Sequence, residues 1–352
     1  MANKVLMKGN EAIAEAAIKS GCLHFFGYPI TPQTEISEYM AKRMPKVGGL
    51  CLQAESEIAA INMIMGAAAA GSRCLTSSSS PGISLKSEGI SYIVGCDLPC
   101  VIVNVQRGGP GLGGIQPSQQ DYYQAVKANA HGDEQILVLA PASVQEMAQL
   151  TSEAFDLADI YRMPAMILAD GALGQMMEPV DFELKNHRDL PEKTWATNGT
   201  GGKRKKNIIN SLFMDPNELE KSIRERYKRY DEIAEKEVKY EEYLCDDADI
   251  VLVAYGITSR ICKTAITAAR AKGIRCGLLR PITLWPYPKK QLLALTDTAK
   301  QFLVVELNMG QMVDDVKVAT ECRRPVSFYG RTGGMIPSPA EVLAEIEKLA
   351  NA

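Results

Sequence analysis

The chain has 352 residues, of which 46% are hydrophobic and 23% are charged. This length exceeds a single ordinary core, so two or three domains are expected. The formal net charge of −3, from 39 basic and 42 acidic residues, gives no long-range field that would favour nucleic acid or an anionic membrane. No apolar run reaches the roughly 20 residues that span a bilayer, and the N-terminus lacks a signal-peptide pattern. The sequence therefore predicts a cytoplasmic protein that binds neither nucleic acid nor membrane.

The first 190 residues alternate between helical and strand-like patterns. Residues 10–20 are rich in alanine and predict a helix with Asn10 as its N-cap and Gly21 after its end. Thr34 is expected to begin a second helix, and a third, packed with small residues, is predicted over 55–71. Short apolar strands are predicted at 24–27 and 50–53. Four continuous apolar runs are typical of strands buried on both faces of a parallel sheet, and they lie at 74–76, 100–106, 135–139 and 163–168.

The composition changes after Leu184. Residues 185–216 are polar and rich in glycine, which predicts a linker or a lid. Residues 216–244 predict one long, highly charged helix whose mixed signs favour a solvated or interface-spanning role. A smaller parallel α/β unit is predicted from Asp249 onward, with strands at 250–255, 277–279 and 302–306 and helices at 258–271 and 289–299.

These patterns predict an α/β protein in three regions. The first is a parallel-sheet domain flanked by helices over 1–190, and the second is the linker with the charged helix over 191–245. The third is the smaller α/β domain over 246–352.

Residues 28–32, Tyr-Pro-Ile-Thr-Pro, are the most distinctive segment of the chain. Each proline fixes φ and pushes the residue before it toward extended geometry, so Tyr28 and Thr31 are expected in a non-helical loop. The loop follows the first predicted sheet strand and presents the Thr31 hydroxyl. Ligands of open α/β sheets bind beyond the carboxyl ends of the strands, so Thr31 is a candidate site residue.

Glu55 and Glu57 stand at the junction between the predicted strand at 50–53 and the helix that follows. They can share one crevice with Thr31 at the edge of the sheet. Alternatively, both acids lie in the first turn of a helix, where the helix macrodipole favours negative charge. The pattern alone supports the two interpretations equally.

Two further loops carry polar groups after predicted strands. Residues 76–82, Thr-Ser-Ser-Ser-Ser-Pro-Gly, offer hydroxyls and backbone donors before a helix, although a plain turn has the same composition. Residues 106–121 are rich in glycine, and their single cation is Arg107. Arg107 is suited to bind a carboxylate or phosphate, the alternative being a structural ion pair. The loop matches neither the Walker A motif nor the dinucleotide fingerprint.

The nine cysteines occur singly, mostly within apolar segments, and are predicted to be free, buried and reduced. Cys96 and Cys100 are the nearest pair, but their spacing is a poor match to zinc or iron-sulfur ligation. We therefore predict no metal cluster in this chain. His24, His131 and His187 have no partner motif and are predicted to be structural.

The motifs occur in the order found in a known family. The chain resembles the α subunit of 2-oxoacid:ferredoxin oxidoreductases essentially from end to end, and most of all its branched-chain branch, with the 2-oxoglutarate branch close behind. The resemblance depends on residues 4–11, the 28–32 turn, Glu55-Ser-Glu57 and the Arg107 loop, and on the C-terminal segments 279–286, 305–310 and 330–334.

The resemblance implies a thiamine diphosphate enzyme whose first domain holds the aminopyrimidine and whose last domain is like the transketolase C-terminal domain. Glu57 best matches the glutamate that hydrogen-bonds the pyrimidine nitrogen, and Glu55 is its rival. Thr31 and Arg107 match the residues that contact the substrate. Further contacts with the cofactor are implied for Tyr28, Pro29, Ile30, Ser79 and Ser80, and no residue of this chain is implied to bind a metal.

The resemblance also implies that essential groups lie on other polypeptides. The chain lacks a Gly-Asp-Gly segment followed by paired asparagines, and Ala169-Asp-Gly171 is the nearest match. The diphosphate and Mg²⁺ are therefore expected on a β subunit, and the iron-sulfur clusters on ferredoxin-like and γ subunits. Ferredoxin is the expected acceptor and coenzyme A the co-substrate, for which residues 203–206 are a weak candidate contact.

Three functions stay open from the sequence. The favoured one is oxidative decarboxylation of 3-methyl-2-oxobutanoate (2-oxoisovalerate) to an acyl-CoA. The second keeps this chemistry with 2-oxoglutarate or an arylpyruvate as the substrate. The third is a scaffold without catalytic residues whose sheet only docks other subunits.

Overall fold

The computed structural model describes residues 4–184 and 188–351, which build two sheets covered by helices. The strands of the first half are β1 (Val5–Lys8), β2 (His24–Gly27), β3 (Leu50–Gln53), β4 (Cys74–Ser78), β5 (Cys100–Gln106), β6 (Leu137–Leu139), β7 (Pro164–Asp170) and β8 (Met177–Val180). Its helices are α1 (Gly9–Lys19), α2 (Thr34–Arg43), α3 (Glu57–Ala69), α4 (Pro81–Gly95), α5 (Tyr122–Val126), α6 (Val144–Tyr161) and α7 (Gly171–Gln175), with a 3₁₀ turn at Met44–Val47.

The second half begins with the charged helix and continues into the smaller sheet. Its helices are α8 (Pro216–Lys236), α9 (Gly256–Ala271), α10 (Lys289–Leu295), α11 (Met312–Ala319) and α12 (Pro339–Ala350). Its strands are β9 (Tyr240–Tyr243), β10 (Ile250–Val253), β11 (Cys276–Pro281), β12 (Thr283–Trp285), β13 (Gln301–Glu306) and β14 (Val326–Gly330). The described residues between 188 and 215 form neither helix nor strand, as expected for the polar tract.

The larger sheet has seven strands in the order β12-β6-β7-β5-β4-β2-β3, and all neighbours except β12 and β6 run parallel. The smaller sheet has the order β14-β13-β10-β11-β9, with β9 antiparallel at its edge. Every residue of β4, β5 and β7 is buried, because helices cover both faces of the larger sheet. The predicted α/β class with parallel sheets is confirmed.

Several predicted elements differ from the observed ones. Helix α1 begins at Gly9 after Lys8, so Asn10 is not its N-cap. The buried side chain of Asn10 instead donates to the Pro32 carbonyl and to Glu35, both at 2.8 Å. These bonds form because the start of α1 packs against the turn that precedes α2. Strand β3 forms over 50–53 as predicted, but this apolar strand lies at the edge of the sheet and is largely exposed.

The charged helix also ends earlier than the predicted residue 244. Helix α8 stops at Lys236, and Glu237 after it accepts hydrogen bonds from Tyr161 and Arg188 at 2.8 and 2.7 Å. Residues 240–243 then pair with β11 as an edge strand. The long-range contacts of Glu237 and the strand pairing therefore override the local helical pattern.

The cysteines are not cross-linked, and two of the histidines pack against aromatic rings. All nine cysteines are free thiols, and six of them are buried as predicted, whereas Cys51 and Cys96 are half-buried and Cys322 is exposed. His24 stacks on Phe26 and His131 packs edge-on against Tyr92, whereas His187 lies outside the described residues. Among the described helices, none is both long and apolar enough to cross a membrane.

The loop that carries Arg107 joins the two sheets. Gln119, which is fully buried, donates to the Tyr255 carbonyl at 2.9 Å and accepts from the Leu307 N–H at 3.0 Å. Tyr122 donates to Asp315 of α11 at 2.6 Å. Strand β12 from the second half also completes the larger sheet beside β6. The two halves are therefore linked through buried polar contacts close to the candidate site.

Asp170, in the Ala169-Asp-Gly171 segment, gives a pH-dependent contribution to this junction. Its carboxylate caps α7 and accepts from the Ile257 N–H at 3.4 Å, while burial raises its pKa from 3.8 to about 6. Because the pKa of Asp170 is higher in the folded than in the unfolded protein, its bound proton stabilises the fold at a pH below the unfolded-state pKa. This contribution is lost as the pH rises through the folded-state pKa. Relative to Asp170→Asn, the wild type should thus lose about 2 to 3 kcal/mol of unfolding free energy between about pH 4 and pH 6. Urea unfolding of both proteins across this range measures the difference, and parallel pH profiles would contradict the prediction.

Candidate active site

Four segments lie together at the carboxyl ends of four neighbouring parallel strands of the larger sheet, because each of them follows one of these strands. Thr31 follows β2, Glu57 follows β3, Ser79 and Ser80 follow β4, and Arg107 follows β5. This edge is the carboxyl end of the parallel strands, where open α/β sheets bind their ligands. The structure therefore places these predicted site residues at the same end of the parallel strands.

The 28–32 turn is held from beneath by a buried amide. Gln33, with no exposed surface, donates to the Tyr28 carbonyl at 3.2 Å and accepts from the Ser77 hydroxyl at 2.5 Å. The turn is non-helical, and α2 begins at Thr34, as predicted. The Thr31 side chain is left exposed. The remaining residues of the turn that were predicted to contact the cofactor are half-buried or exposed, namely Tyr28, Pro29 and Ile30.

The Arg107 guanidinium is buried, and within the described part of the chain no acidic side chain hydrogen-bonds to it. It donates to the carbonyls of Thr31 at 2.9 Å and Leu112 at 3.1 Å, and the side chain of Leu112 is 83% exposed. Among the described residues, no acceptor is found for the buried Nε. The two carbonyls are neutral. Burial raises the pKa of the nearby acid Asp121, and the charge of Arg107 opposes that shift. Because Arg107 forms no salt bridge with a carboxylate among the described residues, a ligand role is favoured over a structural ion pair.

The two candidate glutamates differ in their surroundings. Glu57 is the first residue of α3, where the Ser56 hydroxyl caps the helix by accepting from the Ala59 N–H at 3.2 Å. Its side chain is only 6% exposed, and a Cβ placed on Gly82 would stand 2.7 Å from its Oε1. Glu55 is exposed in the segment before the cap. Burial at the helix start thus distinguishes two acids that the sequence left equivalent.

The serines at the end of β4 and just after it differ in whether their hydroxyls are hydrogen-bonded. Ser80 donates to Asp121 at 2.6 Å and accepts from the Arg107 N–H at 3.1 Å, which joins the two loops. Burial raises the pKa of Asp121, and the hydrogen bonds from Ser80 and Asn104 oppose that shift. The buried hydroxyls of Ser78 and Ser79 have no partner among the described residues. Unpaired buried hydroxyls at a strand end are available to a ligand.

Gly82 has a packing requirement that can be tested. A Cβ at this position would stand 2.0 Å from the Ser78 Oγ, besides its contact with Glu57. Gly82→Ala should therefore lower the unfolding free energy by about 1 to 3 kcal/mol. Gly66→Ala in α3 is the matched control, because its added Cβ would meet no described atom within 4 Å beyond the backbone of its own helix and its chain neighbours. This variant should be more stable by about 0.5 to 1 kcal/mol. Urea unfolding of the two variants compares these effects, and equal midpoints would contradict the packing argument.

Four polar or small residues of the site were not predicted from the sequence. They are Gln33, Gly82, Lys86 and Asp121, and all four are buried. Lys86 has no exposed surface and lies on α4 one turn beyond Gly82. A lysine between glycines on the buried stripe at 82, 86 and 89 was the available signal, because helical spacing of 3 to 4 residues places all three on one face.

The fold, with parallel sheets covered by helices and polar loops at the carboxyl ends of the strands, is that of an α/β enzyme subunit. Residues 15–242 match the family model of the pyruvate flavodoxin/ferredoxin oxidoreductase, thiamine diphosphate-binding domain. Residues 248–342 match the pyruvate:ferredoxin oxidoreductase core domain II. The chain therefore belongs to the 2-oxoacid:ferredoxin oxidoreductase family, and the resemblance drawn from its motifs is confirmed.

Relatives in this family match over almost the whole chain. Ketoisovalerate oxidoreductase subunit VorB of Methanothermobacter thermautotrophicus is 50% identical over 98% of this chain and 97% of the relative. The 2-oxoglutarate synthase subunit KorA of the same organism is 35% identical over 99% of this chain and 100% of the relative. These relatives are subunits of oxidoreductases, as expected for a chain that works with partners.

Solved structures agree with the fold. The 2-oxoglutarate:ferredoxin oxidoreductase from Magnetococcus marinus, solved with 2-oxoglutarate, coenzyme A and succinyl-CoA bound, has a TM-score of 0.90 and 28% identity. The match covers 99% of this chain and 65% of that longer chain. A split-gene transketolase has a TM-score of 0.61 at 15% identity, with 97% of each chain covered, and it shares the fold alone. The predicted transketolase-like architecture is confirmed.

Proposed function

We propose that this chain is the subunit of a thiamine diphosphate-dependent 2-oxoacid:ferredoxin oxidoreductase that binds and helps to decarboxylate 3-methyl-2-oxobutanoate. The products would be an acyl-CoA, carbon dioxide and reduced ferredoxin. The observation that carries the proposal is the buried Arg107 guanidinium, which donates to the Thr31 and Leu112 carbonyls and forms no salt bridge with a carboxylate of the described residues. A 2-oxoacid has a carboxylate that such a cation can bind.

The residues at the sheet edge fit the aminopyrimidine side of the cofactor. Gly82 lets α4 pack closely on the buried Glu57 because it has no Cβ, and the hydroxyls of Ser78 and Ser79 lack partners among the described residues. Bound thiamine diphosphate supplies a nucleophilic carbon and an electron sink for decarboxylation. Glu57 would share a proton with the pyrimidine ring nitrogen, and its burial strengthens that hydrogen bond. Its position supports Glu57 over the exposed Glu55.

The remaining cofactor contacts would come from the two loops on either side. The 28–32 turn, supported by Gln33, would present Tyr28, Pro29 and Ile30 to the ring. Ser79 and Ser80 would line the opposite side, where Ser80 is already fixed by Asp121. These loops are positioned by buried hydrogen bonds, so little ordering entropy remains to be lost when the cofactor binds.

The surroundings of Arg107 favour a branched aliphatic substrate. Arg107 would bind the substrate carboxylate and Thr31 would contact the carboxylate or carbonyl. Leu112 and Ile115, exposed by 83% and 58%, offer apolar surface in the same loop. A second carboxylate, as in 2-oxoglutarate, would need a further cation, and Arg107 is the only one within residues 106–121. The higher identity to the ketoisovalerate relative than to the 2-oxoglutarate relative supports the same choice.

The other groups of the reaction would belong to partner subunits. A β subunit would hold the diphosphate and Mg²⁺, since the one Gly-Asp-Gly-like segment here uses Asp170 to cap α7. Ferredoxin-like and γ subunits would carry the iron-sulfur clusters that pass electrons to ferredoxin. Exposed apolar side chains near the site are consistent with a partner surface, namely Leu50 and Leu52 on the β3 edge and Leu112 and Met335 beside the Arg107 loop.

Comparing the isolated chain with the complex tests this division of labour. We expect the purified single chain to show no thiamine-dependent decarboxylation, because the proposal assigns the groups that bind the diphosphate to the β subunit. Adding the co-purifying subunits should restore turnover. Decarboxylation by the single chain would contradict the shared site, whereas an active complex that tolerates loss of Glu57 would support the scaffold function.

A further inference from the structure

The Arg107 loop packs against residues 332–334, a segment of the second half that follows β14. Gly334 lies so close to the loop that a Cβ on it would stand 2.2 Å from the Gln116 Cβ, and its φ of +88° is one that side chains rarely adopt. Gly108, the residue after Arg107, is buried, and a Cβ on it would stand 3.8 Å from the Gly334 N. Glycines therefore allow the loop and the 332–334 segment to approach each other closely.

The side chain of Gln120 joins the loop to this segment. Its Oε1 accepts from the Gly109 N–H at 2.6 Å, and its Nε2 donates to the Thr332 hydroxyl at 2.7 Å. The backbone carbonyl of Gln120 also accepts from the Gln311 side chain at 2.8 Å. One amide thus connects the backbone two residues after Arg107 with the second half of the chain.

The part of the loop next to Gln120 is the part that needs support. Five of the seven residues 108–114 are glycines, which lose more backbone entropy on ordering than other residues do, and residues 110–116 are exposed. The Leu112 carbonyl, one of the two acceptors that hold the Arg107 guanidinium, lies within this span. The conformation of the loop therefore determines where one side of the guanidinium is fixed.

We propose that Gln120 and Thr332 are positioning residues that, with the 332–334 segment, hold the Arg107 loop in the conformation that presents the guanidinium to the substrate carboxylate. The second half of the chain thereby contributes to substrate affinity through this loop. The inference rests on the proposed function, because it takes Arg107 as the residue that binds the carboxylate. A displaced cation weakens the binding of a carboxylate that is held both before and during the chemical step, so the effect belongs in KM rather than in kcat.

The first test compares Gln120→Met with Thr332→Val in the native complex. Methionine keeps the length of glutamine without its polar atoms, and valine keeps the shape of threonine without its hydroxyl. We expect the KM for 3-methyl-2-oxobutanoate to rise about tenfold in Gln120→Met, which loses both side-chain bonds, and about threefold in Thr332→Val, which loses one. The kcat should stay within about twofold of the wild type. Thr332→Ser retains the hydroxyl and should restore the wild-type KM.

A matched control and a double variant show whether the effect comes from this contact. Thr264→Val makes the same change at an exposed threonine of α9 whose hydroxyl donates to the Arg260 carbonyl of its own helix, and it should leave KM unchanged. The double variant of Gln120→Met and Thr332→Val should have the KM of Gln120→Met alone, because the bond between the two is already lost. Multiplied losses in the double variant, or a normal KM in Gln120→Met, would overturn the positioning role.

Hydrogen-deuterium exchange of the complex without substrate separates this inference from the proposed function. Peptides that cover residues 108–116 should exchange about 2- to 10-fold faster in Gln120→Met than in the wild type. Unchanged exchange would overturn the inference even if Arg107 binds the substrate. Faster exchange together with a normal KM in Arg107→Met would support the connection through Gln120 and overturn the role of Arg107 in the proposed function.

Discussion

Glu57→Gln in the reconstituted complex should lower kcat by about 10²- to 10⁴-fold, the range for loss of a positioned acid–base group. Glutamine keeps the size and one hydrogen-bonding oxygen of the side chain, but it cannot exchange a proton with the pyrimidine nitrogen. Glu57 is buried beside Gly82, so water is excluded from taking over its role. Steady-state kinetics at saturating thiamine diphosphate, coenzyme A and 3-methyl-2-oxobutanoate measures the loss.

Glu55→Gln is the matched control, because the same chemical change is made two residues away at an exposed position. Its kcat should stay within about threefold of the wild type, as is usual for surface changes. Size-exclusion chromatography of both variants verifies that the complex is intact. A large loss in Glu55→Gln with normal turnover in Glu57→Gln would reverse the assignment, and normal turnover in both would support a scaffold.

Arg107→Met should lower kcat/KM for 3-methyl-2-oxobutanoate by about 10³-fold. Two effects contribute: the substrate carboxylate loses a charge-assisted hydrogen bond, and the carbonyls of Thr31 and Leu112 lose the donor that fixes their loops. Each such bond to a charged group contributes about 1.5 to 3 kcal/mol. Since the carboxylate is bound before the chemical step, we expect a substantial part of the loss in KM.

Arg107→Lys tests the geometry of the same site. Lysine retains the charge but lacks the planar fork that reaches two acceptors together, so it should recover only part of the lost kcat/KM. Arg323→Met removes an exposed arginine of the second half and should leave kcat/KM unchanged. An unchanged KM in Arg107→Met would contradict a role for Arg107 in substrate binding.

The sequence predicted the strands of the larger sheet well because their signal is local. Continuous apolar runs identified β5 at 100–106 with its observed bounds, and the prolines at 29 and 32 identified the non-helical turn. Features that depend on distant partners were missed. Asn10 follows a helix-capping pattern, but its amide is used by Pro32 and Glu35. The helix expected to reach residue 244 ends at Lys236 because the next strand pairs with β11.

The candidate site shows the same division. Residue types and their order suggested Thr31, Arg107 and one of two glutamates. The pattern could not separate Glu55 from Glu57, because the difference arises from where α3 begins and which face packs on Gly82. It also could not show that the Arg107 partners are backbone carbonyls of Thr31 and Leu112, since carbonyls carry no sequence signature. Lys86 was missed because a lysine is normally assigned to the surface.

The central claim is tested most directly by the substrate preference of the native complex. The chain is purified with its partners, and reduction of ferredoxin or a viologen is measured with 3-methyl-2-oxobutanoate, 2-oxoglutarate and pyruvate, with and without thiamine diphosphate and coenzyme A. We expect reduction that requires both thiamine diphosphate and coenzyme A, with the highest kcat/KM for 3-methyl-2-oxobutanoate. A preference for 2-oxoglutarate would contradict the assigned substrate while keeping the chemistry, and reduction of none of the three would contradict the enzymatic role itself.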